Sequence, residues 1–142
     1  MQLIILCVLH MLLIPCENHC VTATPSLAGK WFIKKITLFN GSVKLAGEGK
    51  GCLAKSYVIF DKDGMMYNQW FFEGGTDSCF AAKIGSSDYR IEDGNRIVSS
   101  DGSARFVFKD NDTLVIQFDR PKKGDSKITF NFQCIEYTRA AK

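Results

Sequence analysis

Two short stretches of the sequence have residue types and spacing that could support chemistry. Gly47-Glu48-Gly49-Lys50-Gly51 has the glycines and the lysine of a phosphate-binding loop, and Asp61-Lys62-Asp63-Gly64 brings two carboxylates together as a calcium loop does. Neither pattern is complete, because no helix-forming pattern follows the glycines and the later ligands of a calcium loop are missing. We therefore interpret the first stretch as a flexible loop and the second as a hairpin turn.

The first residues of the sequence have the pattern of a leader segment, and its removal would change which catalytic and metal-binding side chains the mature protein contains. Residues 3–14 form an apolar run of twelve residues, which is too short to span a bilayer. The small residues Val21-Thr22-Ala23 follow it and have the character of a cleavage site. We therefore predict a signal peptide at residues 1–23, a single domain at residues 24–142, and a secreted, extracellular protein without a membrane span.

Histidine occurs only in the predicted signal peptide, at His10 and His19. A mature chain without histidine has no Ser-His-Asp triad, no Cys-His pair and no histidine-ligated metal. We expect a protein that is not an enzyme, with no catalytic residue, no cofactor and no metal site. We also expect no nucleic-acid partner.

One run of the sequence is strongly basic: Arg120-Pro121-Lys122-Lys123-Gly124-Asp125-Ser126-Lys127. The formal charge of the whole sequence is +3, and it becomes +4 when Glu17 is removed with the leader. The run has the glycine and proline of a hairpin tip, and such a tip is usually only solvated. Its charge would also suit a glycosaminoglycan or an acidic protein surface.

Strand-like runs alternate with turn signals throughout the mature chain. Strands are predicted at Trp31–Phe39, Leu53–Phe60, Met65–Phe72, Cys79–Ile84, Tyr89–Glu92, Arg96–Ser99, Ala104–Lys109, Thr113–Asp119 and Ile128–Arg139. Apolar residues alternate along several of them; Leu114, Ile116 and Phe118, for example, share one face. A meander of short strands removes its exposed edges most simply by closing. We therefore predict an all-β fold, a single antiparallel up-and-down β-barrel of about eight strands.

The two ends of this meander resemble the lipocalins and the wider calycin superfamily. The first strand opens with Leu27-x-Gly29-x-Trp31, and the last ends in Tyr137-Thr138-Arg139. The resemblance implies that Gly29 lets the chain enter the barrel floor, that Trp31 plugs the floor, and that Arg139 lies across the indole ring. A guanidinium over a partly desolvated indole is a favourable contact.

Two related families share Gly-x-Trp but fit less well. Fatty-acid-binding proteins have no leader and place two helices after the first strand, where this sequence has the glycine-rich segment 41–51. Avidins line their site with several further tryptophans, and only Trp70 remains here. The sequence is most similar to short secreted lipocalin-like domains.

The resemblance implies a cup that takes a small apolar or amphipathic ligand at its open end. The candidate ligand-binding residues are Tyr57, Phe60, Trp70, Phe72, Phe106, Phe108, Ile116 and Phe132. Small barrels are also often filled by their own side chains. In that alternative the protein is a protein-binding or inhibitory module that acts through the loops at the barrel mouth.

The segment Asn40–Gly51 is the longest connection between predicted strands. It has four glycines and no large aromatic residue, and it follows a strand that starts at the floor. We therefore predict that it lies at the open end and forms a mobile lid.

Three cysteines remain after the leader: Cys52, Cys79 and Cys134. We predict a disulfide between Cys52 and Cys79, because both precede strand-like runs that begin at the same end of the meander. One strand lies between them, about 9–10 Å across, so loop residues must bend inward to bring the sulfurs together. Cys134, on the apolar face of the last strand, is then a free, buried thiol.

Two sequons, Asn40-Gly41-Ser42 and Asn111-Asp112-Thr113, fall at predicted turns. Turns keep an attached sugar in solvent, so we predict N-glycosylation at Asn40 and Asn111.

Overall fold

The computed structural model describes residues 25–120 and 132–141. The predicted signal peptide and most of the basic run lie outside these ranges. The described strands and one 3-10 turn (η1) are β1 Gly29–Leu38, β2 Val43–Leu45, η1 Cys52–Lys55, β3 Tyr57–Phe60, β4 Met65–Gln69, β5 Phe71–Glu73, β6 Cys79–Ala81, β7 Gly85–Glu92, β8 Arg96–Ser99, β9 Gly102–Asp110, β10 Thr113–Phe118 and β11 Phe132–Arg139. None of the described residues belongs to a helix with the length and hydropathy needed to cross a bilayer.

Eight of the strands close into an antiparallel barrel. Going round it, β1 is followed by β3, β4, β7, β8, β9, β10 and β11, and β11 pairs with β1 again. The strand β2 is an additional ninth strand on β1, and β5 and β6 form a separate two-stranded hairpin. The predicted fold class is confirmed.

The core lies inside the barrel, where the inward faces of the strands meet. Trp31, Phe60, Leu114 and Ile135 are almost completely buried, and Ile116 beside them belongs to the same cluster. Burial of each such side chain contributes roughly 1.5–3 kcal/mol. The period-two alternation predicted for β10 is observed, because Leu114 and Ile116 face the core while Gln117 is exposed.

A bulge in β11 reverses its faces. Thr37 on β1 pairs with Cys134, whereas the next residue, Leu38, pairs with Phe132. Gln133 is therefore an extra residue, and Phe132 and Ile135 both pack against the core although they are three positions apart. The prediction that Cys134 is buried on the apolar face is wrong. The thiol is free but only half-buried, on the outer face of the barrel.

The predicted lid, Asn40–Gly51, contains the short strand β2, which the sequence analysis did not predict. β2 pairs with β1 through Val43, Lys44 and Leu45, and the Ala46 amide donates a further hydrogen bond of 2.9 Å to the Lys34 carbonyl. Glu48 then closes the edge of β2, because its carboxylate accepts from the Leu45 amide at 3.3 Å and its own amide donates to the Leu45 carbonyl at 3.1 Å.

Several predicted strands are interrupted. The predicted strand at Leu53–Phe60 begins as η1, and only its second half, β3, joins the barrel. The predicted strand at Met65–Phe72 is broken at Trp70 into β4 and β5. Because of the break at Trp70, β5 pairs with β6 in a separate hairpin and is not part of the barrel wall.

Candidate functional site

The floor of the barrel is closed by Trp31. Its side chain is fully buried, and its indole N–H donates a hydrogen bond of 2.8 Å to the Leu27 carbonyl. The guanidinium carbon of Arg139 lies 4.0 Å from the centroid of the Trp31 ring. The arginine and the tryptophan are neighbours because Trp31 on β1 pairs with Arg139 on β11.

Gly29 has a specific role beside this pair. Its φ is +129°, in the region that favours glycine, and a Cβ at this position would lie 3.3 Å from Nη1 of Arg139. A larger residue would strain the backbone and displace the guanidinium from the floor.

The opposite end of the barrel, the mouth, has a different surface. β1 runs from the floor at Trp31 to Leu38, which pairs with Phe132, and β10 ends nearby at Phe118. Five aromatic rings follow one another there, and we call them the mouth row. Their centroids are separated by 6.5 Å from Phe118 to Phe132, 5.5 Å from Phe132 to Trp70, 6.5 Å from Trp70 to Phe72 and 5.6 Å from Phe72 to Phe80.

The mouth row runs from the interior into solvent. Phe132 and Trp70 pack against the core, whereas Phe72 is 46% exposed and Phe80 is 54% exposed. Trp70 stacks nearly parallel to Phe132 and to Phe72, at 23° and 15°. Flat rings held this way present a continuous apolar surface to a molecule that enters the mouth.

The β5–β6 hairpin, which presents Phe72 and Phe80, is fixed by covalent and polar contacts. The predicted disulfide between Cys52 and Cys79 is confirmed, with a Cα–Cα distance of 5.4 Å. The disulfide joins η1 to β6. The expected arrangement, in which both cysteines lie in loops that precede barrel strands, is not observed. The buried hydroxyl of Ser56 accepts a hydrogen bond of 2.9 Å from the Phe71 amide.

Two polar side chains lie just below the mouth row on the inner face of the barrel. On β4, Met66 and Asn68 lie on the inner face, because they pair with the core residues Phe60 and Val58 of β3. On the facing strand, Ser87 pairs with Met66 and Gly85 pairs with Asn68. Ser87 and Asn68 therefore form a short polar section on the inner face of β4 and β7.

The structure disperses the eight candidate ligand-binding residues. Trp70, Phe72 and Phe132 belong to the mouth row, and Phe60 and Ile116 are buried inside the core. Tyr57 lies on the outer wall, where its ring meets Phe32 at a centroid distance of 6.0 Å. There it does not line the interior.

The remaining two candidates lie near the floor. Phe106 and Phe108 line a cleft of about 470 Å³ together with Leu27 and Ile91. The Phe108 ring is 5.9 Å from that of Trp31, so this cleft is at the end of the barrel opposite the mouth row.

Sequence reasoning missed Phe80, Phe118, Asn68 and Ser87. Phe118 shares the inward face with Leu114 and Ile116, and this alternation was a usable signal. Phe80 is placed by its pairing with Phe72 across the hairpin, which requires the register of the strands.

A charged cluster lies on the outer wall of the barrel. The carboxylate of Glu136, on a side chain only 8% exposed, lies 2.6 Å from Nζ of Lys109, 3.1 Å from that of Lys34 and 3.6 Å from that of Lys35. The hydrogen bonds from Lys109 and Lys34 outweigh burial and lower the pKa of Glu136 to about 2. This cluster anchors β9, β11 and β1 to one another.

The described residues hold no group of three or more histidine, cysteine or carboxylate side chains that could bind a metal ion. Asn40 and Asn111, the two predicted glycosylation sites, are both exposed in turns. The Asn40 side chain accepts a hydrogen bond of 2.9 Å from the Ser42 amide.

Comparison with known proteins gives no family assignment. No protein-family model matches the sequence, and no curated protein matches it significantly. The closed eight-stranded barrel is compatible with a lipocalin-like fold.

Proposed function

We propose that this protein is a secreted, lipocalin-like binding protein that holds a small apolar or amphipathic molecule against the mouth row, with no catalytic role. The observation that carries the proposal is the half-exposed pair Phe72 and Phe80, which continues a row of partly buried rings. Soluble proteins rarely leave neighbouring aromatic rings in solvent without a binding role. The leader pattern and the disulfide support secretion.

The filled core decides where the ligand would bind. The buried side chains of Phe60, Leu114 and Ile135 fill the inside of the barrel below the mouth row. The ligand therefore lies at the mouth, with its body against the mouth row, rather than deep in a cup.

The experiment is a titration with N-phenyl-1-naphthylamine, an apolar dye that fluoresces in apolar surroundings. The two tryptophans of the chain lie at opposite ends of the barrel, so energy transfer from Trp70 to the dye reports binding at the mouth. We expect saturable binding, loss of the transfer signal in Trp70→Phe and weaker binding in Phe80→Ala. Val107→Ala is the control for the other end of the barrel, because Val107 is 53% exposed and lines the cleft near the floor; it should leave dye binding unchanged.

A second candidate function is a protein-binding or inhibitory module that uses the mouth. It is favoured by the filled lower barrel and by the presentation of Phe72 and Phe80 on a cross-linked hairpin. If the dye shows no saturable binding, the ligand-binding proposal fails and this candidate replaces it.

A further inference from the structure

We propose that Ser87, together with Asn68, is a polar anchor inside the binding site and selects ligands with an uncharged hydrogen-bonding head group, such as a hydroxyl or a carbonyl. This inference rests on the proposed function and adds to it the chemical class and orientation of the ligand. The head group would enter first, and the apolar body would lie against the mouth row.

The first observation is a buried hydroxyl without a partner. Ser87 is only 9% exposed, and its Oγ has no hydrogen-bond partner among the described residues. Buried polar atoms in folded proteins nearly always have a partner, because an unpaired one is destabilising. The hydroxyl of Ser87 therefore has a hydrogen-bonding capacity that the described residues leave unused. Because the atom itself has almost no accessible surface, a ligand must displace the side chains that cover it.

The second observation is where this hydroxyl points. Ser87 and Tyr89 share one face of β7 by strand alternation, and Tyr89 packs against the core. Ser87 therefore faces the interior, opposite Met66. Its Oγ is aimed into the barrel rather than toward the outer wall.

Asn68 lies diagonally across from Ser87, because it pairs with Gly85, two positions before Ser87 on the same face of β7. A Cβ on Gly85 would come within 2.7 Å of the Asn68 Oδ1 atom, so the amide occupies the space that the glycine leaves open. Trp70 follows directly after the end of this strand and packs against the core. The polar section and the aromatic stack are thus consecutive parts of one surface, apolar at the mouth and hydrogen-bonding below, as in small-molecule sites.

The charge of the head group follows from the surroundings. Among the described residues, the buried polar or charged side chains are Ser56, Gln69, Ser87 and Glu136. Glu136 is the charged one and is held by lysines on the outer wall. In the described part of the chain, no buried cation would pair with a carboxylate placed beside Ser87, so this part of the site favours a neutral head group.

The test uses three probes with the same ring system: 2-methylnaphthalene, 2-naphthalenemethanol and 2-naphthoate, measured by equilibrium dialysis. We expect the wild-type protein to bind the alcohol more tightly than the carboxylate. Ser87→Ala should weaken binding of the alcohol by about tenfold, the effect of one lost hydrogen bond, and leave 2-methylnaphthalene unchanged. Ser86→Ala is the matched control, because Ser86 is the exposed neighbour on the same strand.

The stability of the unliganded protein gives a second readout. Ser87→Ala removes an unpaired buried hydroxyl and should raise the Tm, so stability and alcohol affinity change in opposite directions. Two results for Ser87→Ala would overturn the inference: an equal fall in affinity for the alcohol and for 2-methylnaphthalene, or a lower Tm with the affinity for the alcohol unchanged. In either case saturable binding of the dye would still support the proposed function. If neither the dye nor the naphthalenes bind, both fail together.

Discussion

The Arg139 guanidinium covers the Trp31 indole at 4.0 Å and also donates hydrogen bonds to three backbone carbonyls. These are the carbonyls of Ser26 at 2.8 Å, Ala28 at 3.3 Å and Asn111 at 3.1 Å. One side chain thus joins the segment before β1, the β9–β10 turn and the last strand. It closes the floor through contacts that no neutral side chain could reproduce.

Trp31→Ala should lower the free energy of unfolding by about 3–5 kcal/mol, because it leaves a large cavity in the core. Arg139→Ala should cost less, since the arginine is partly exposed. The two effects should be non-additive in a double-mutant cycle measured by urea unfolding, because the residues share one contact. Arg139→Lys is the control, because it keeps the charge but loses the planar guanidinium group. If the effects of the two substitutions on the free energy of unfolding are fully additive, the contact contributes nothing to stability.

The stability of the fold should fall in acid because of Glu136. Its pKa is about 2 in the folded protein and near 4.3 in an unfolded chain. A carboxyl whose pKa is lowered by folding stabilises the protein above the unfolded value, and this contribution, about 3 kcal/mol, is lost as the pH falls from about 4.5 to 2. Unfolding in urea at several pH values should show this loss.

Glu136→Gln should remove most of that acid dependence and destabilise the protein at pH 7, since three lysines would lose their common partner. Glu92→Gln is the matched control. Glu92 pairs with Arg90 in an exposed ion pair, which contributes little to stability. An unchanged pH profile in Glu136→Gln would contradict the assigned role of Glu136.

Removal of the disulfide should affect the mouth before the floor. The cross-link joins residues 27 positions apart, and a loop of this size is worth about 3 kcal/mol. In a Cys52→Ser and Cys79→Ser double variant, hydrogen exchange should quicken first in the β5–β6 hairpin, and the dye should bind more weakly. Cys134→Ser should change neither measurement, because that thiol forms no cross-link; uniform loosening of the whole barrel would speak against a local role.

Expression in eukaryotic secretory cells should release a protein that begins at Thr24 and carries two glycans. Asn40 and Asn111 are exposed in turns, so their side chains are accessible to the transferase. Intact-mass measurement of Asn40→Gln and Asn111→Gln should show the loss of one glycan each. An N-terminal sequence that starts upstream of residue 24 would show that the signal-peptide boundary is wrong.

The barrel could be predicted from the sequence because its signals are local. Alternation in β10 assigns Leu114 and Ile116 to the core, and turn residues mark the ends of most strands. The motif that contains Gly29 and Trp31, paired with Arg139, gave the correct neighbours at the floor.

The mouth could be predicted only in part, because it depends on register. A one-residue bulge at Gln133 exchanges the faces of β11 and puts Cys134 outside. Tyr57 and Phe60 are three positions apart on one strand, so alternation already placed them on opposite faces, and only Phe60 belongs inside. A buried, unpaired serine such as Ser87 has no sequence signal, because serine is mostly exposed.

The way Glu48 covers the end of β2 has a consequence for the behaviour of the protein in concentrated solution. Val43 and Leu45 are about half exposed, at 51% and 48%, on a strand that pairs with β1 alone among the described strands. Such an apolar border is a template on which another molecule can add its own strand, the first step of aggregation. Because Glu48 occupies both backbone groups of Leu45 and adds a negative charge there, this part of the border is not open to a strand from another molecule, which opposes such growth.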